Sequence, residues 1–538
     1  MKSFNVPSIL EVDAYQLGHF LQIPPGMEHF ELSQATFRSP LHYGTGEGDD
    51  HRIVSAGVLP FVQLELLNSR ITEEDIERAD WFLDDFHATA TAPSYRTPYP
   101  YPREMFVRIV EEFDGRWPVC VMALPDGQTH YVGEPQLMLW TDEPGMGETV
   151  GWLESTLLPY LWASSVVATR GRKRKERFLS VYRTHHPSMQ DEEFMLDTKF
   201  HDFGRRGGAA SQITGIAHLI NWLGTDTVDA AYAASQYLNG GRKFGANSII
   251  AAAHRTVTPW KRERQAVRHA VERFKGGIFA FVADSYDYLR CMKMLGQHAQ
   301  AIQAAGGFLV GRPDSGDPVA CVVDGLRIFD AAFGSRTVDG LRILNGAGII
   351  QGDGVSDRKI FEELLPAVIR AGFSPLNVAF GMGEYNHRAV RSDLESALKT
   401  AMVGQLPYGE TDDVPLAAFD TAVDDVREEL GYRMVMKGSE SRFKRSIPGP
   451  VAIDLAARDG RPRLRPISVA ALKDGAIGDY RVLYDGRRKP LQVWSDSFDA
   501  VRDRAQNTWN EHVADPGDTF APELRRLQEA YMDEALRA

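Results

Sequence analysis

The chain has 538 residues, of which 43% are hydrophobic and 25% are charged. Such a chain is long enough for two or three domains, and its composition is typical of a soluble globular protein. Its 60 basic and 73 acidic residues give a formal net charge of −13, which disfavours a general nucleic-acid-binding function but permits a local basic pocket for anions.

The cysteines and the first residues bear on the cellular compartment. Cys120, Cys291 and Cys321 have no metal-ligand spacing and cannot form an even disulfide framework, which favours a reducing environment. The chain start lacks a basic segment followed by an apolar one, so no signal peptide is predicted. No apolar run approaches ~18 residues, so no membrane span is predicted. We therefore expect a cytoplasmic protein with neither a membrane nor a nucleic-acid partner.

The N-terminal part of the chain combines short β-type runs with proline and glycine breaks. Residues 119–123 and 137–140 are predicted strands on either side of a turn at 125–127. A long helix is predicted over residues 152–178, apolar first and then basic. The six basic residues between 170 and 177 favour a solvated helix face, and the alternative is a contact with a polyphosphate substrate.

In the middle of the chain, β-type runs alternate with helix-like stretches, and polar residues follow each run. This strand–loop–helix repeat predicts a parallel sheet. Functional loops follow the carboxyl ends of the strands both in a β/α barrel and in an open doubly wound sheet, so the pattern alone leaves both folds open. The predicted strands are residues 278–283, 308–310, 347–350 and 378–380, and the predicted helices are residues 286–304, 318–333 and 356–371.

The C-terminal part begins with an acidic stretch at residues 410–430, which is predicted as an exposed excursion. The last ~60 residues are predicted as strands followed by a terminal amphipathic helix.

Residue groups between 201 and 254 have the composition of an anion and small-ligand site. Arg205 and Arg206 lie between glycines, so guanidinium groups and backbone amides can approach an oxyanion closely; a solvated loop is the alternative. Either Thr225 or Asp226 caps a helix that starts near residue 227, or Asp226 accepts hydrogen bonds from a ligand. His254 follows an apolar run and is either a structural histidine or a functional one.

Two glycine-containing turns supply what a phosphorylated sugar would need. Arg312 stands at a predicted strand end, and Asp314, after a proline that fixes the turn, can hold Mg²⁺ or a sugar hydroxyl. Asp353 lies between Gly352 and Gly354, which allow close backbone approach to a ribose. Plain turns are the alternative at both places, and the dinucleotide fingerprint and the Walker A sequence are absent from these loops.

Together these groups suit glycosyl transfer through an oxocarbenium-like transition state. Carboxylates and Mg²⁺ would stabilise the developing charge, and arginines would hold a leaving pyrophosphate.

A series of motifs, with an early Asp-x-Tyr at residues 13–15, occurs in the order found in a known family. On these motifs the chain resembles the nicotinamide phosphoribosyltransferases, which belong to the type II phosphoribosyltransferases. The motifs are His201-Asp202-Phe203-Gly204-x-Arg206-Gly207, Gly224-Thr225-Asp226-Thr227-Val228, Asp284-Ser285-Tyr286-Asp287, Arg312-Pro313-Asp314-Ser315-Gly316, Gln351-Gly352-Asp353-Gly354-Val355 and Asn377-x-Ala379-Phe380-Gly381.

The resemblance implies an α/β fold with an irregular β/α barrel and a second, mostly β domain formed from both chain ends. It also implies a homodimer with shared active sites. We therefore assign residues 1–150 to the N-terminal part of the mixed β domain and residues 151–400 to the α/β barrel. Residues 401–538 are assigned to the acidic excursion, the end of the barrel and the return to the β domain with the C-terminal helix.

The resemblance further implies a role for individual residues. Phe203 and the partner subunit's Tyr15 would stack on the pyridine ring, and Asp226 would accept the carboxamide N–H, which favours nicotinamide over nicotinate. Arg206, His254 and Arg312 would bind the pyrophosphate. Gly352 and Asp353 would contact the ribose, and Arg391 would bind the 5′-phosphate. We assign catalysis to His254, Asp226, Asp314 and Asp287, and further substrate contacts to Ser248, Gly383 and Glu384.

The expected substrates are nicotinamide and phosphoribosyl pyrophosphate, with Mg²⁺ bound to the pyrophosphate and its protein ligands unassigned. In the family, ATP can phosphorylate the histidine that matches His254. The acidic residue before that histidine is Ala253 here, so stimulation by ATP stays open.

A second departure concerns the loop after Phe380-Gly381, where the family has a run of glycines. Residues 382–385 read Met-Gly-Glu-Tyr here, and Glu384 would repel a 5′-phosphate if it pointed inward. This loop and the basic run at 170–177 keep an alternative open, in which nicotinamide is joined to ADP-ribose pyrophosphate to make NAD directly. A nicotinate phosphoribosyltransferase and a non-catalytic ligand-binding relative are the remaining alternatives.

Overall fold

The computed structural model describes residues 5–42, 50–86, 99–204, 207, 210–352, 354–406, 430–439, 444–457, 463–488, 491–493 and 496–537. The strands are β1 (Glu31–Thr36), β2 (Arg52–Val54), β3 (Cys120–Ala123), β4 (Thr129–Tyr131), β5 (Pro135–Thr141), β6 (Phe200–His201), β7 (Ile250–Ala251), β8 (Ile278–Val282), β9 (Phe308–Arg312), β10 (Ser335–Val338), β11 (Leu341–Leu344), β12 (Ala347–Gln351), β13 (Val378–Gly381), β14 (Ala397–Gln405), β15 (Gly431–Met434), β16 (Val451–Ile453), β17 (Leu464–Pro466), β18 (Arg481–Asp485) and β19 (Gln492–Val493). The α-helices are α1 (Val58–Phe61), α2 (Glu73–Phe86), α3 (Arg103–Phe113), α4 (Glu148–Trp152), α5 (Glu154–His185), α6 (Ser211–Leu219), α7 (Val228–Ala233), α8 (His254–Val257), α9 (Glu263–Phe274), α10 (Tyr288–Gly296), α11 (Ala299–Ala304), α12 (Pro318–Phe333), α13 (Leu365–Arg370), α14 (Gly383–His387), α15 (Val469–Lys473), α16 (Phe498–Glu511) and α17 (Pro522–Arg537).

The chain divides into two compact units. The terminal unit contains Met1–His42, Gly48–Val166 and Val390–Ala538, and the central unit contains Val167–Ala389. The terminal unit is therefore assembled from both ends of the chain, whereas the central unit is essentially one continuous segment. Most of the acidic stretch at 410–430 lies outside the described residues.

The terminal unit contains a seven-stranded antiparallel sheet in the order β15-β14-β1-β5-β3-β18-β19. Strand β1 pairs with β5 on one side and with β14 on the other, so strands from distant parts of the chain share this sheet. Its apolar residues form a core around Phe30, Leu32 and Trp140. Because β1 is flanked on both edges and lies against this core, its polar residues Glu31, Ser33 and Gln34 are also buried.

Glu31 on β1 makes the stability of the protein depend on pH. Burial, and then repulsion from Glu148, raise the pKa of its carboxyl group to about 8, against an ordinary value of 4.5. The folded chain keeps a proton that the unfolded chain releases, so this stabilisation is present at low pH and is lost as the pH rises toward 8. When the pH rises from 5 to 7, the unfolding free energy of the wild type should therefore fall by roughly 2 kcal/mol more than that of Glu31→Gln.

Chemical denaturation at both pH values measures this difference, and Glu77→Gln on the exposed face of α2 is the control. An unchanged pH slope in Glu31→Gln would contradict the prediction.

The central unit contains a six-stranded parallel sheet in the order β6-β13-β12-β9-β8-β7. Parallel bridges between Asp202 and Thr225 and between Gly224 and Asn247 extend the backbone pairing beyond β6. The sheet is curled into a half-barrel, and its side chains alternate between two environments. Phe281, Leu309 and Ile349 lie in the large core, while Ala280, Val310 and Ile350 form a small separate cluster.

Most predicted elements of the central unit are confirmed, with two local differences. The helix predicted over residues 318–333 is α12, whereas the segment 286–304 is broken into α10 and α11. The segment 356–371 begins with Ser356, whose hydroxyl accepts the Lys359 N–H, but its first part is a π-helix. This irregularity precedes Pro366, which has no backbone N–H to continue the α-helical hydrogen bonds.

The prediction that the basic run at 170–177 forms a solvated helix face is wrong. The run lies on α5, and Arg174 and Lys175 are only 0% and 7% exposed. Arg174 pairs with Asp357, and Lys175 pairs with Asp197 at 2.7 Å. The carboxylates that compensate these charges come from distant parts of the chain, so the local sequence pattern did not reveal them.

Within the described ranges, no helix combines the length and the apolar character that crossing a membrane would require.

Candidate active site

The loops that follow β8, β9, β12 and β13 bring the predicted polar residues together at the carboxyl ends of the parallel strands. Arg312, the last residue of β9, donates from Nη2 to Asp314 Oδ1 at 2.8 Å. His254, at the start of α8, places Nε2 3.5 Å from Asp314 Oδ2 and Nδ1 3.0 Å from Ser285 Oγ. A cation, a carboxylate and an imidazole are therefore in direct contact.

The charges in this cluster keep Asp314 ionised. Partial burial by itself would raise the pKa of the Asp314 carboxyl, but the adjacent Arg312 and His254 outweigh burial and hold the pKa below its usual value. Asp284 adds a second carboxylate, whose Oδ1 lies 3.9 Å from His254 Nε2. This oxygen is buried and has no hydrogen-bond partner among the described residues.

An aromatic ring adjoins this charged cluster. The Arg312 guanidinium carbon lies 5.9 Å from the centroid of the Phe203 ring. Glycines make this approach possible, because a Cβ on Gly381 would lie 2.4 Å from Phe203 Cε2, and a Cβ on Gly352 would lie 2.2 Å from Asp314 Oδ1. The predicted ring site and the predicted sugar-phosphate site are thus contiguous.

Gly381→Ala tests this close packing. The added Cβ would lie 1.7 Å from the carbonyl oxygen of Gly352, which cannot move without displacing the end of β12. We expect a loss of about 1–3 kcal/mol in unfolding free energy, as for an overpacked core. Thermal and chemical denaturation measure it, with Gly276→Ala as the control because its nearest neighbour would be 3.7 Å away. Wild-type stability in Gly381→Ala would contradict the packing argument.

Asp226 is available to a ligand. The hydroxyl of Thr225, not the Asp226 carboxylate, accepts the Thr227 N–H before α7 begins at Val228. Asp226 is exposed, and its Oδ1 accepts a hydrogen bond from Ser248. The Asp226 carboxylate therefore does not cap α7, and Ser248 orients it.

Asp202 is a residue whose role sequence reasoning missed, although it stands within a motif. Its carboxylate is 0% exposed and lies 2.9 Å from His387 Nε2. It also accepts from the Thr227 hydroxyl, which itself accepts the Gly204 N–H at 2.7 Å. Burial opposes ionisation of Asp202, but the hydrogen bond from His387 and the nearby His218 outweigh it and lower the pKa of the carboxyl. Asp202 thus holds the segments that carry Phe203 and Asp226.

Comparison with known proteins identifies the family to which the chain belongs. The model of the nicotinate phosphoribosyltransferase (NAPRTase) family matches residues 198–403. The chain is 33% identical over 416 residues to the nicotinamide phosphoribosyltransferase of Xanthomonas campestris, covering 73% of this chain and 81% of the relative. The chain belongs to the NAPRTase family. This confirms the predicted membership among the phosphoribosyltransferases of NAD salvage.

A second relative and two solved structures are also similar to the chain. The nicotinamide phosphoribosyltransferase of Acinetobacter baylyi is 25% identical over 449 residues, covering 75% of this chain and 83% of the relative. The crystal structure of human nicotinic acid phosphoribosyltransferase has a TM-score of 0.53 at 16% identity, covering 97% of this chain and 99% of that one. Nicotinate-nucleotide pyrophosphorylase from Pyrococcus furiosus also has a TM-score of 0.53, at 14% identity, with 95% and 100% covered. These two likenesses show the fold.

The remaining predicted site residues of this NAPRTase-family chain are distributed as follows. Asp287 is exposed and caps α10 by accepting the Arg290 N–H at 2.7 Å, so its catalytic assignment stays a prediction. Gly383 is buried at the start of α14, and Glu384 beside it is exposed. Tyr15 and Arg391 belong to the terminal unit, and Tyr15 is 62% exposed. Arg205, Arg206 and Asp353 lie outside the described residues.

Proposed function

We propose that the protein transfers the phosphoribosyl group of phosphoribosyl pyrophosphate to nicotinamide, giving nicotinamide mononucleotide and pyrophosphate. The observation that carries this proposal is the contiguity of the Phe203 ring with the Arg312–Asp314–His254 cluster. An aromatic platform beside a charged cluster fits a transfer between a flat heterocycle and a pyrophosphate-activated sugar.

The reaction follows from this arrangement. The pyridine nitrogen of nicotinamide forms a bond to C1′ of the ribose, and the C1′–oxygen bond to pyrophosphate breaks, so pyrophosphate leaves with the electron pair and the pyridine ring becomes positively charged. Arg312 and His254 would hold the leaving pyrophosphate. Asp314, kept ionised by its neighbours, would stabilise the positive charge that develops on the sugar.

Asp226 supports nicotinamide as the acceptor. Its oxygens can accept the carboxamide N–H, whereas the carboxylate of nicotinate would be repelled. Ser248 donates to Oδ1 of Asp226, and among the described residues nothing donates to the second oxygen, which can accept from the ligand.

Two carboxylates fit the Mg²⁺ that accompanies the substrate pyrophosphate. Mg²⁺ is usually bound through one or two carboxylates together with substrate phosphates. Asp314 and the unpartnered Oδ1 of Asp284 both lie within 4 Å of His254 and would supply such ligands. The metal would neutralise charge on the leaving group. Stimulation by ATP through His254 stays a prediction.

We further propose a homodimer with shared active sites, in which the partner subunit's Tyr15 completes the ring site. Its support is a row of exposed apolar side chains on α7 and the π-helix that continues it (Ala234–Leu238), where Val228, Tyr232 and Tyr237 are 78%, 61% and 45% exposed. The finer fold assignment, a closed irregular barrel with a second, mostly β domain, belongs to this proposal. So does a cytoplasmic location, which is supported by the free state of Cys120, Cys291 and Cys321.

A donor competition tests the function. The purified protein is given nicotinamide, Mg²⁺ and equal amounts of phosphoribosyl pyrophosphate and ADP-ribose pyrophosphate, and the products are separated by mass spectrometry. We expect nicotinamide mononucleotide. Direct formation of NAD would favour the ADP-ribose donor instead, and the absence of any product, with and without ATP, would overturn the proposal. Burial of the 170–177 run has already removed one of the two grounds for the ADP-ribose alternative.

A further inference from the structure

Residues 381–388 are called the β13–α14 segment here. This segment lies at the same edge of the sheet as Gly352 and the Arg312–Asp314–His254 cluster. The family resemblance implies that the loop after Phe380-Gly381 lies beside the donor's 5′-phosphate, and the proposed function includes this expectation. Met382, Asn386 and His387 are buried, at 0%, 1% and 9% exposure, while Glu384 is exposed. Because the buried side chains hold the segment, their contacts determine its backbone conformation.

Helix α5 contacts this segment through two arginines that lie one turn apart. Arg170 donates from Nη1 to the carbonyl oxygens of Arg388 at 2.8 Å and Tyr385 at 3.4 Å. Arg174 donates from Nη1 to Asn386 Oδ1 at 3.4 Å. The two guanidinium carbons also lie 5.4 and 5.9 Å from the centroid of the Tyr385 ring. The segment is therefore held through both its backbone and its side chains.

Arg174 joins the segment to a second loop of the site. Its Nε and Nη2 donate to both carboxylate oxygens of Asp357, at 2.6 and 3.3 Å, and both side chains are buried. Asp357 follows the Gly352 loop after β12. A planar guanidinium has several N–H donors in fixed directions and can bridge these two loops, whereas the ammonium group of a lysine cannot make the same paired hydrogen bonds.

Asn386 is held from its other side as well. Its Nδ2 donates to Asp202 Oδ1 at 2.8 Å, while its Oδ1 faces Arg174. These partners allow a single orientation of the amide. A buried chain of polar contacts thus connects Asp357, Arg174, Asn386 and Asp202.

We propose that Arg174 and Arg170 are positioning residues for the donor: from α5 they hold the β13–α14 segment in the conformation that receives the 5′-phosphate. This inference rests on the proposed function. It gives the basic run at 170–177 a role in substrate binding without contact between these arginines and the substrate.

The test compares Arg174→Gln, Arg170→Gln and the double variant Arg174→Gln/Asp357→Asn. The double variant removes both buried charges together, so it avoids the unpaired carboxylate that could unfold the single variant. We expect KM for phosphoribosyl pyrophosphate to rise about tenfold or more in all three, because small misplacements of binding groups are costly. In Arg170→Gln, KM for nicotinamide should stay at the wild-type value.

A binding measurement separates positioning from a general loss of structure. By calorimetry, affinity for ribose 5-phosphate should fall about tenfold in the variants, whereas affinity for pyrophosphate should not change. Arg342→Gln is the matched control, since Arg342 also contacts a carboxylate, two carbonyl oxygens and an aromatic ring, but away from the strand ends. It should leave both affinities unchanged.

The inference is overturned if the folded double variant and Arg170→Gln bind ribose 5-phosphate as the wild type does. It is also overturned if the affinities for both probes fall together, because that would indicate a purely structural role. A failure of the proposed function is distinguishable: the wild type would then form no mononucleotide, whereas the ribose 5-phosphate measurement would still report on the arginines.

Discussion

Replacing Asp226 by asparagine should lower kcat/KM for nicotinamide by about 10- to 100-fold, the worth of a hydrogen bond to a charged acceptor. Its carboxylate is exposed, its Oδ1 accepts a hydrogen bond from Ser248, and no described residue donates to the other oxygen, which can accept the carboxamide N–H. The amide that replaces it can donate to a carboxylate and no longer repels one. The value of kcat/KM for nicotinate should therefore rise while that for nicotinamide falls, so their ratio should fall further than the nicotinamide value alone.

The measurement is steady-state kinetics with each acceptor at saturating phosphoribosyl pyrophosphate. Asp229→Asn is the control, because Asp229 is an exposed carboxylate in the first turn of the neighbouring helix α7. It removes the same surface charge without touching the Ser248 contact. If the ratio of kcat/KM for nicotinamide to that for nicotinate is the same in Asp226→Asn and in the wild type, the charge of Asp226 does not select the acceptor.

The second large effect is expected for Arg312→Lys, which should reduce kcat/KM for phosphoribosyl pyrophosphate by about a hundredfold. The Arg312 guanidinium donates to Asp314 and lies beside the Phe203 ring, leaving further N–H groups for an anion. A lysine ammonium is a point charge and cannot contact a carboxylate, an aromatic ring and a pyrophosphate at the same time in this fixed geometry. The inhibition constant of the product pyrophosphate should increase with it.

Arg327→Lys is the control for this prediction, because Arg327 forms an exposed ion pair with Asp324 on α12. Melting temperatures of both variants establish that they are folded. A value of kcat/KM in Arg312→Lys within about threefold of the wild type would show that Arg312 does not hold the leaving group.

Local signals explain why most elements of the central unit could be predicted. Helix α12 starts behind Asp317, whose carboxylate accepts the Ala320 N–H, and has Pro318 in its first turn. It ends before Gly334, which adopts a φ of 69°. Caps, prolines and glycines act within a few residues of the helix ends, so they can be read from the sequence.

The same reasoning could identify the separate groups of the site but not their contacts. Arg312 and Asp314 are two positions apart, and their pairing is local. The Arg174–Asp357 and Asn386–Asp202 contacts join residues 183 and 184 positions apart. The Asn386–Asp202 contact forms because β6 lies beside β13 in the sheet, an order that helix and strand periodicity does not determine.

The sequence by itself determined the family, the strand–loop–helix repeat and the residue types that chemistry at the strand ends requires, because motif spacing and local propensity are properties of short segments. Only the tertiary structure decided that the basic run is buried and that Asp202 links Phe203 to Asp226. It also decided that α5 holds the β13–α14 segment. The physical reason is that a buried charge is stable only beside its partner, and the packing of distant strands and helices places that partner.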